Sequence, residues 1–265
     1  PAKAVRIPLR EENEFRLNPE EVEKAVTEKT KMIIINSPNN PTGAVMKPEE
    51  IKKIYEIAEK NNIYLLSDEV YARICYKENS GDKFHSPSQY DNCKERVIVV
   101  NGFSKAYAMT GWRIGVCTGP SDLIEKMGLL LESEFSCIPT FIQWAAIEAL
   151  RGSQDRTFEM RDEYRKRRDF MVNGLNNLPG VRCIKPKGAF YAFPNINGTG
   201  MSSEEFRDFM LEEAGVALCH GSMFGEYGKG FARLCYANSS FENVERGMKR
   251  MKSSLERRGK DNNEL

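Results

Sequence analysis

In the stretch VIVVNGFSKAYAMTGWRIG, residues 97–115, a β-branched run ends at Val100 and a lysine, Lys105, follows just past it. Eight residues further on, Arg113 stands on a loop flanked by Gly111 and Gly115. An amine in this setting forms imines with aldehydes, and a nearby fixed cation helps keep it unprotonated and nucleophilic. An isolated Ser-Lys pair reads more simply as a solvated lysine. The whole string, with two further elements upstream, favours the nucleophile.

The first upstream element is NSPNNPTG, residues 36–43, directly after the run Met32-Ile33-Ile34-Ile35. That run reads as a buried parallel strand. The proline, asparagine and glycine density after it forces a tight turn that presents the Asn40 amide rigidly. The second is Ser67-Asp68-Glu69-Val70-Tyr71, after Ile63-Tyr64-Leu65-Leu66. Alone, the turn is only a good turn, and an Asp-Glu pair after a strand is more often a solvated loop or a metal site. Together, Asn40, Asp68 with Tyr71, and Lys105 each follow a separate strand. In open α/β sheets ligands collect at the carboxyl ends of strands, so one side of a parallel sheet would gather all of them.

With these motifs in this order, the chain resembles the pyridoxal-phosphate enzymes of the aspartate aminotransferase fold family, in their class I and II branch. The likeness runs over nearly all of its length. It implies an α/β fold, a mostly parallel sheet flanked by helices with a smaller α+β C-terminal domain, and pyridoxal 5′-phosphate as cofactor. It implies that Lys105 forms the internal aldimine and shuttles the proton. Asp68 would hold the pyridinium nitrogen protonated, Asn40 and Tyr71 would bond the ring's phenolic oxygen, and Arg113 with Ser104 would take the phosphate. The segment Ala232-Arg233-Leu234-Cys235-Tyr236-Ala237 resembles the one whose arginine grips the substrate α-carboxylate, which makes Arg233 that clamp, with Asn40 beside it. The residue types suit the chemistry. A protonated pyridine ring is an electron sink for a carbanion, a carboxylate favours that protonation, and a guanidinium makes two parallel hydrogen bonds to phosphate or carboxylate.

The implied reaction is amino transfer from an L-amino acid, aspartate among the candidates, to a 2-oxo acid. The same residues would serve a lyase that uses the cofactor differently, and a catalytically inert piece is the third reading. Some relatives bind a distal carboxylate through a neighbouring subunit's arginine, in the loop corresponding to residues 132–139; no Arg or Lys stands there. Relatives are mostly homodimers, so a homodimer is the expectation for the complete protein.

Composition narrows the alternatives. The 39 basic and 38 acidic residues among 265 nearly cancel, which argues against nucleic acid or an anionic membrane as partner. No apolar run approaches the length of a membrane span. Seven scattered cysteines read as reduced thiols of a cytoplasmic protein and not as a disulfide frame or zinc site. Only His85 and His220 are present, so no histidine metal centre or triad is expected.

Residues 1–155 read as the large cofactor-binding domain and 156–265 as the small one with its connecting helix. Helices are expected over 47–61, from Ser121 as cap, over 139–150 as a buried helix, over 155–178, 202–214 and 242–255. Strands are expected at 116–118, 188–193, 216–219 and 231–236, with 4–9 a remnant strand and 256–265 a frayed end. Ser202-Ser203-Glu204-Glu205 resembles a capping box. Arg161, Arg165, Arg167 and Arg168 read as a solvated helix face. The glycine-rich 221–228 lacks the Gly-Lys-Ser/Thr ending of a phosphate loop and reads as a loop beside the substrate. Relatives carry, ahead of the part matched here, a phosphate-cradling turn and an aromatic ring stacked on the cofactor. The chain is therefore expected to be a fragment with exposed strand edges, weak cofactor affinity and little turnover.

Overall fold

A computed structural model describes residues 2–76, 84–92, 94–238 and 240–261. The chain divides into two units. The first comprises residues 1–8, 16–39 and 45–161, and the second residues 9–15, 40–44 and 162–265.

In the first unit, β1 (Met32–Asn36), β2 (Tyr64–Asp68) and β3 (Val97–Gly102) run parallel, and β4 (Gly115–Thr118) closes the sheet antiparallel, in the order β1-β2-β3-β4. Three apolar runs, each ending in polar residues, produce this register. Asn36 stands opposite Asp68, and Asp68 opposite Val100, so the strands end side by side. Helices α1 (Pro19–Ala25) and α2 (Pro48–Lys60) cover one face. Ile51, Ile54 and Ala58 recur at helical spacing on α2 and pack with Ile33, Ile35, Leu65 and Val97. Pro48 opens α2 where its missing N–H costs nothing.

Between β3 and β4 lies the short helix α3 (Phe103–Ala106); after β4 come α4 (Ser121–Phe135), α5 (Thr140–Arg151) and the start of α6 (Asp155–Asn176). Several expectations need correction. The β1 run alternates and is not buried on both sides: Ile34 is 67% exposed, because packing reaches only the face of Ile33 and Ile35. The helix over Thr140–Arg151 forms, yet it buries only Ala146 and leaves Trp144 65% exposed, since no described layer covers its other side. Pro120, not Ser121, is the N-cap of α4. Residues 4–9 form no strand, for no described strand lies beside them to share hydrogen bonds. Cys93 and residues 262–265 lie outside the described residues.

The second unit is built on a three-stranded antiparallel sheet, β5 (Tyr191–Ala192), β6 (Cys219–His220) and β7 (Ala232–Cys235), in the order β5-β7-β6. The strands are shorter than expected, and β6 starts where the expected strand ends. Helix α7 (Ser203–Ala214) has the capping box in place: Glu205 N–H donates to Ser202 Oγ (3.2 Å) and Ser202 N–H to Glu205 Oε2 (2.8 Å). Helix α8 (Phe241–Asp261) runs past residue 255, and Val244, Met248, Met251 and Leu255 form its buried stripe. Gly174 of α6 lets Met248 approach so closely that a Cβ would meet its Cε at 2.9 Å.

Residues 9–15 belong to this unit through Phe15, whose ring meets those of Phe193 and Phe231, and through Glu11, whose Oε2 accepts from Asn195 (2.8 Å) and Arg182 (3.0 Å). Arg168 is 1% exposed, which corrects the reading of a uniformly solvated arginine face. Its guanidinium donates to Pro186 O at 2.9 Å and pairs with Asp169, so the buried charge is satisfied.

Candidate active site

The carboxyl ends of β2 and β3 carry the acid and the amine singled out in the sequence, Asp68 and Lys105. Asp68 closes β2, and Val70 N–H donates to its Oδ1 at 3.2 Å. Its other oxygen, Oδ2, takes no hydrogen bond from a described residue. The backbone around it is pinned. Ser37 N–H and Asn36 Nδ2 both donate to Asp68 O at 3.3 Å, and Glu69 N–H donates to Val100 O at 2.8 Å. Tyr71 is buried in the turn that follows, where Ala72 N–H bonds Glu69 O and Ile74 N–H bonds Tyr71 O, each at 2.8 Å.

Lys105 sits on α3, straight after β3, half-buried, with its Nζ 6.0 Å from the centre of the Tyr71 ring. The structure thus brings together two residues 34 positions apart, one on each of two adjacent strand ends. Ser104 precedes Lys105 on the same turn. Arg113 adopts a left-handed backbone, φ 52°, and the antiparallel register of Gly102 with Gly115 returns its segment beside α3. Its side chain is exposed and Nη1 donates to Thr110 O at 3.0 Å; the adjacent Trp112 is 42% exposed.

Beside Asp68, Glu69 is buried and donated to by Ser86 Oγ at 2.6 Å. Burial pushes its carboxyl above the usual range, the Asp68 charge adds to this, and the hydroxyls of Ser86 and Ser67 only partly offset it.

In the second unit the loop of residues 40–44 is fixed by Gly43, whose carbonyl accepts from Lys187 N–H and Gly188 N–H, both at 2.9 Å. Gly43 has φ +69° and lies so close to Pro186 that a Cβ would come within 2.5 Å of the proline's Cβ. This holds Asn40 against Arg233 of β7, whose Nη1 donates to Asn40 Oδ1 at 3.0 Å. The Arg233 Nη2 donates to Cys219 Sγ at 3.2 Å, and the rings of Tyr191 and Phe224 face its guanidinium carbon at 4.7 and 4.9 Å. Its Nε is buried with no hydrogen-bond partner among the described residues.

The sequence points to Asn40 and Arg233 but not to the three side chains around the guanidinium. Cys219 and Phe224 stand in segments read only as strand and loop, and Tyr191 in one read only as strand. The alternation along β6 and β7, which sets Cys219 opposite Arg233, is the one signal that could find the thiol. The stretch at 221–228 consists of two 3-10 turns, Gly221–Phe224 and Glu226–Gly228.

The family described as aminotransferase class I and II matches residues 1–251. The chain is 47% identical over 255 residues to an aspartate aminotransferase of Pyrococcus abyssi and 46% identical to aromatic-amino-acid aminotransferase 2 of Thermococcus litoralis. In both cases 96% of this chain is matched, and it spans 64% of the relative's length. The crystal structure of an aromatic aminotransferase from Pyrococcus horikoshii superposes with a TM-score of 0.91 at 43% identity, covering 96% of this chain and 68% of that one. Members of this family depend on pyridoxal phosphate. This chain belongs to the class I and II aminotransferase family.

Proposed function

We propose that the protein is a pyridoxal-phosphate-dependent aminotransferase that moves an amino group from an L-amino acid to a 2-oxo acid. The observation that carries this reading is the placing of the Lys105 amine over the Tyr71 ring, on the strand end next to Asp68. Bound cofactor supplies an aldehyde for the amino group and a protonated ring that takes up the electrons of the bond broken at the substrate's α-carbon.

The residues fit such a group. Asp68 Oδ2 is a carboxylate oxygen without a donor among the described residues, so it can accept from a ring N–H and hold that proton in place. Tyr71 offers its hydroxyl to the ring's phenolic oxygen. Ser104 and Arg113 bind phosphate, the hydroxyl by donating and the guanidinium by paired N–H groups. Lys105 Nζ takes and returns the substrate proton, being the amine of this corner. Arg233 grips the substrate carboxylate: its Nε is buried with no partner among the described residues, and Asn40 steadies its Nη1. We further take the complete protein to be a homodimer of the cytoplasm, a setting supported by six described cysteines that are all free.

The test is reconstitution with pyridoxal phosphate and measurement of amino transfer from L-aspartate or an aromatic amino acid to 2-oxoglutarate. Lys105→Ala is expected to lower kcat by about 10² to 10⁴-fold, the usual worth of a positioned proton carrier. Reduction with borohydride should attach the cofactor to Lys105, located by peptide mass. Equal turnover in Lys105→Ala, or label spread over other lysines, overturns the reading.

A further inference from the structure

Gln154, on the loop between α5 and α6, has every hydrogen-bonding position of its amide in use. Its Oε1 accepts from Arg73 Nη1 at 3.1 Å and from the Tyr107 hydroxyl at 3.2 Å. Its Nε2 donates to Ala149 O at 3.0 Å and to Gly152 O at 2.9 Å. A guanidinium that can only donate on one side and two carbonyls that can only accept on the other fix which end is oxygen; turning the amide would break those three bonds. The Arg73 guanidinium also lies over the Tyr107 ring, 5.5 Å from its centre.

The two residues that reach Gln154 occupy matching places. Arg73 follows Tyr71 by two residues, and Tyr107 follows Lys105 by two. One amide therefore ties the turn after β2 to the turn after β3, and ties both to the end of α5. The same helix packs under the turn after β3 through Ala146 against Phe103 and Met109. We infer that Gln154 is a positioning residue that sets the Lys105 amine relative to Tyr71. The inference rests on the proposed function for its consequence, though not for its geometry. A misplacement of about 1 Å at a reacting group costs about 10²-fold in rate, so a tether of this kind has something to protect.

The test uses the cofactor-free protein first. Hydrogen exchange is followed at the amides of Ala72 and Ile74 in one turn and of Tyr107, Ala108 and Met109 in the other, all of which make backbone bonds there. In Gln154→Ala both sets are expected to exchange about five- to ten-fold faster, the factor that loss of one or two hydrogen bonds gives. Tyr107→Phe keeps the ring against Phe103 and removes only the hydroxyl. It should speed the second set by about five-fold, leave the first unchanged, and add nothing on a Gln154→Ala background. Acceleration confined to the end of α5, or full additivity of the two substitutions, overturns the inference.

The second readout is pyridoxal phosphate with cyanoborohydride, followed by peptide mass. The share of label on Lys105 should fall about ten-fold in Gln154→Ala and move to other lysines, as an amine held about 1 Å off would lose its advantage. An unchanged share overturns the inference. If the unsubstituted protein carries no label on Lys105 while exchange responds as expected, the tether stands and the proposed function falls.

Discussion

Arg113 and Arg233 are held in opposite ways. Arg233 is fixed on a strand by Asn40, Cys219 and two aromatic rings, with one buried N–H unbonded among the described residues. Arg113 lies in solvent on a left-handed turn and, among the described residues, bonds only a carbonyl of that turn, Thr110 O. A long side chain that must be ordered on binding gives up about 0.5–1.5 kcal/mol for that ordering, and Arg233 has already incurred it on folding. If both bind anions as proposed, the first unit offers a guanidinium that ligand must organise, and the second offers one organised by the fold.

The largest effect should come from Arg233→Gln. Removing one partner of a buried, hydrogen-bonded charge pair costs about 2–5 kcal/mol, so KM for the amino acid should rise roughly 10² to 10³-fold. Arg113→Gln should weaken pyridoxal phosphate by only about ten-fold in titration, because an exposed cation gains less and is screened by salt. A larger loss at Arg113 than at Arg233 would break the comparison. Phe224→Ala sharpens it: losing one ring over the guanidinium should raise KM by about five-fold and leave kcat unchanged.

The smallest effects are on stability against pH, and they differ in sign between the units. Burial pushes the Asp169 carboxyl up, but the Lys185 hydrogen bond and the Arg168 charge outweigh it and hold it below its usual range. Its contribution is therefore present above about pH 4 and lost as pH falls through the lower folded value. Lys185→Gln should flatten that acid loss. Glu69 is held above its usual range, chiefly by burial, so its folded form keeps a proton the unfolded chain has released. Stability falls as pH rises from about 4.3 through the raised value, and Glu69→Gln should remove that fall. Urea unfolding between about pH 3 and 8 reads both, and matching slopes for the two variants would contradict the assigned signs.

Much of the first sheet is legible in the chain. Three apolar runs, each closed by polar residues, give β1, β2 and β3 and place Asp68 and Lys105 at adjacent ends. The capping box at Ser202 and the apolar spacing of α2 likewise declare themselves, since such patterns are local. What is not legible is partnership. Nothing in the run of arginines on α6 marks Arg168 as the buried one, because its acceptor, Pro186 O, lies 18 residues away. Gln154 looks like any loop glutamine until Arg73, 81 residues earlier, meets it. The bareness of Ile34 depends on which layers lie over the sheet, and periodicity within one strand carries no record of that.

The two tryptophans offer a last consequence. Trp112 and Trp144 are the chain's full complement; both belong to the first unit, Trp144 65% exposed and Trp112 42%. Indole emission from the folded protein should therefore start toward long wavelength, and the further red shift in denaturant should come mainly from Trp112. The second unit has no indole at all; its intrinsic emission comes from Tyr164, Tyr191, Tyr227 and Tyr236. Spectroscopists who excite only the indoles would have no reporter inside the half that holds Arg233.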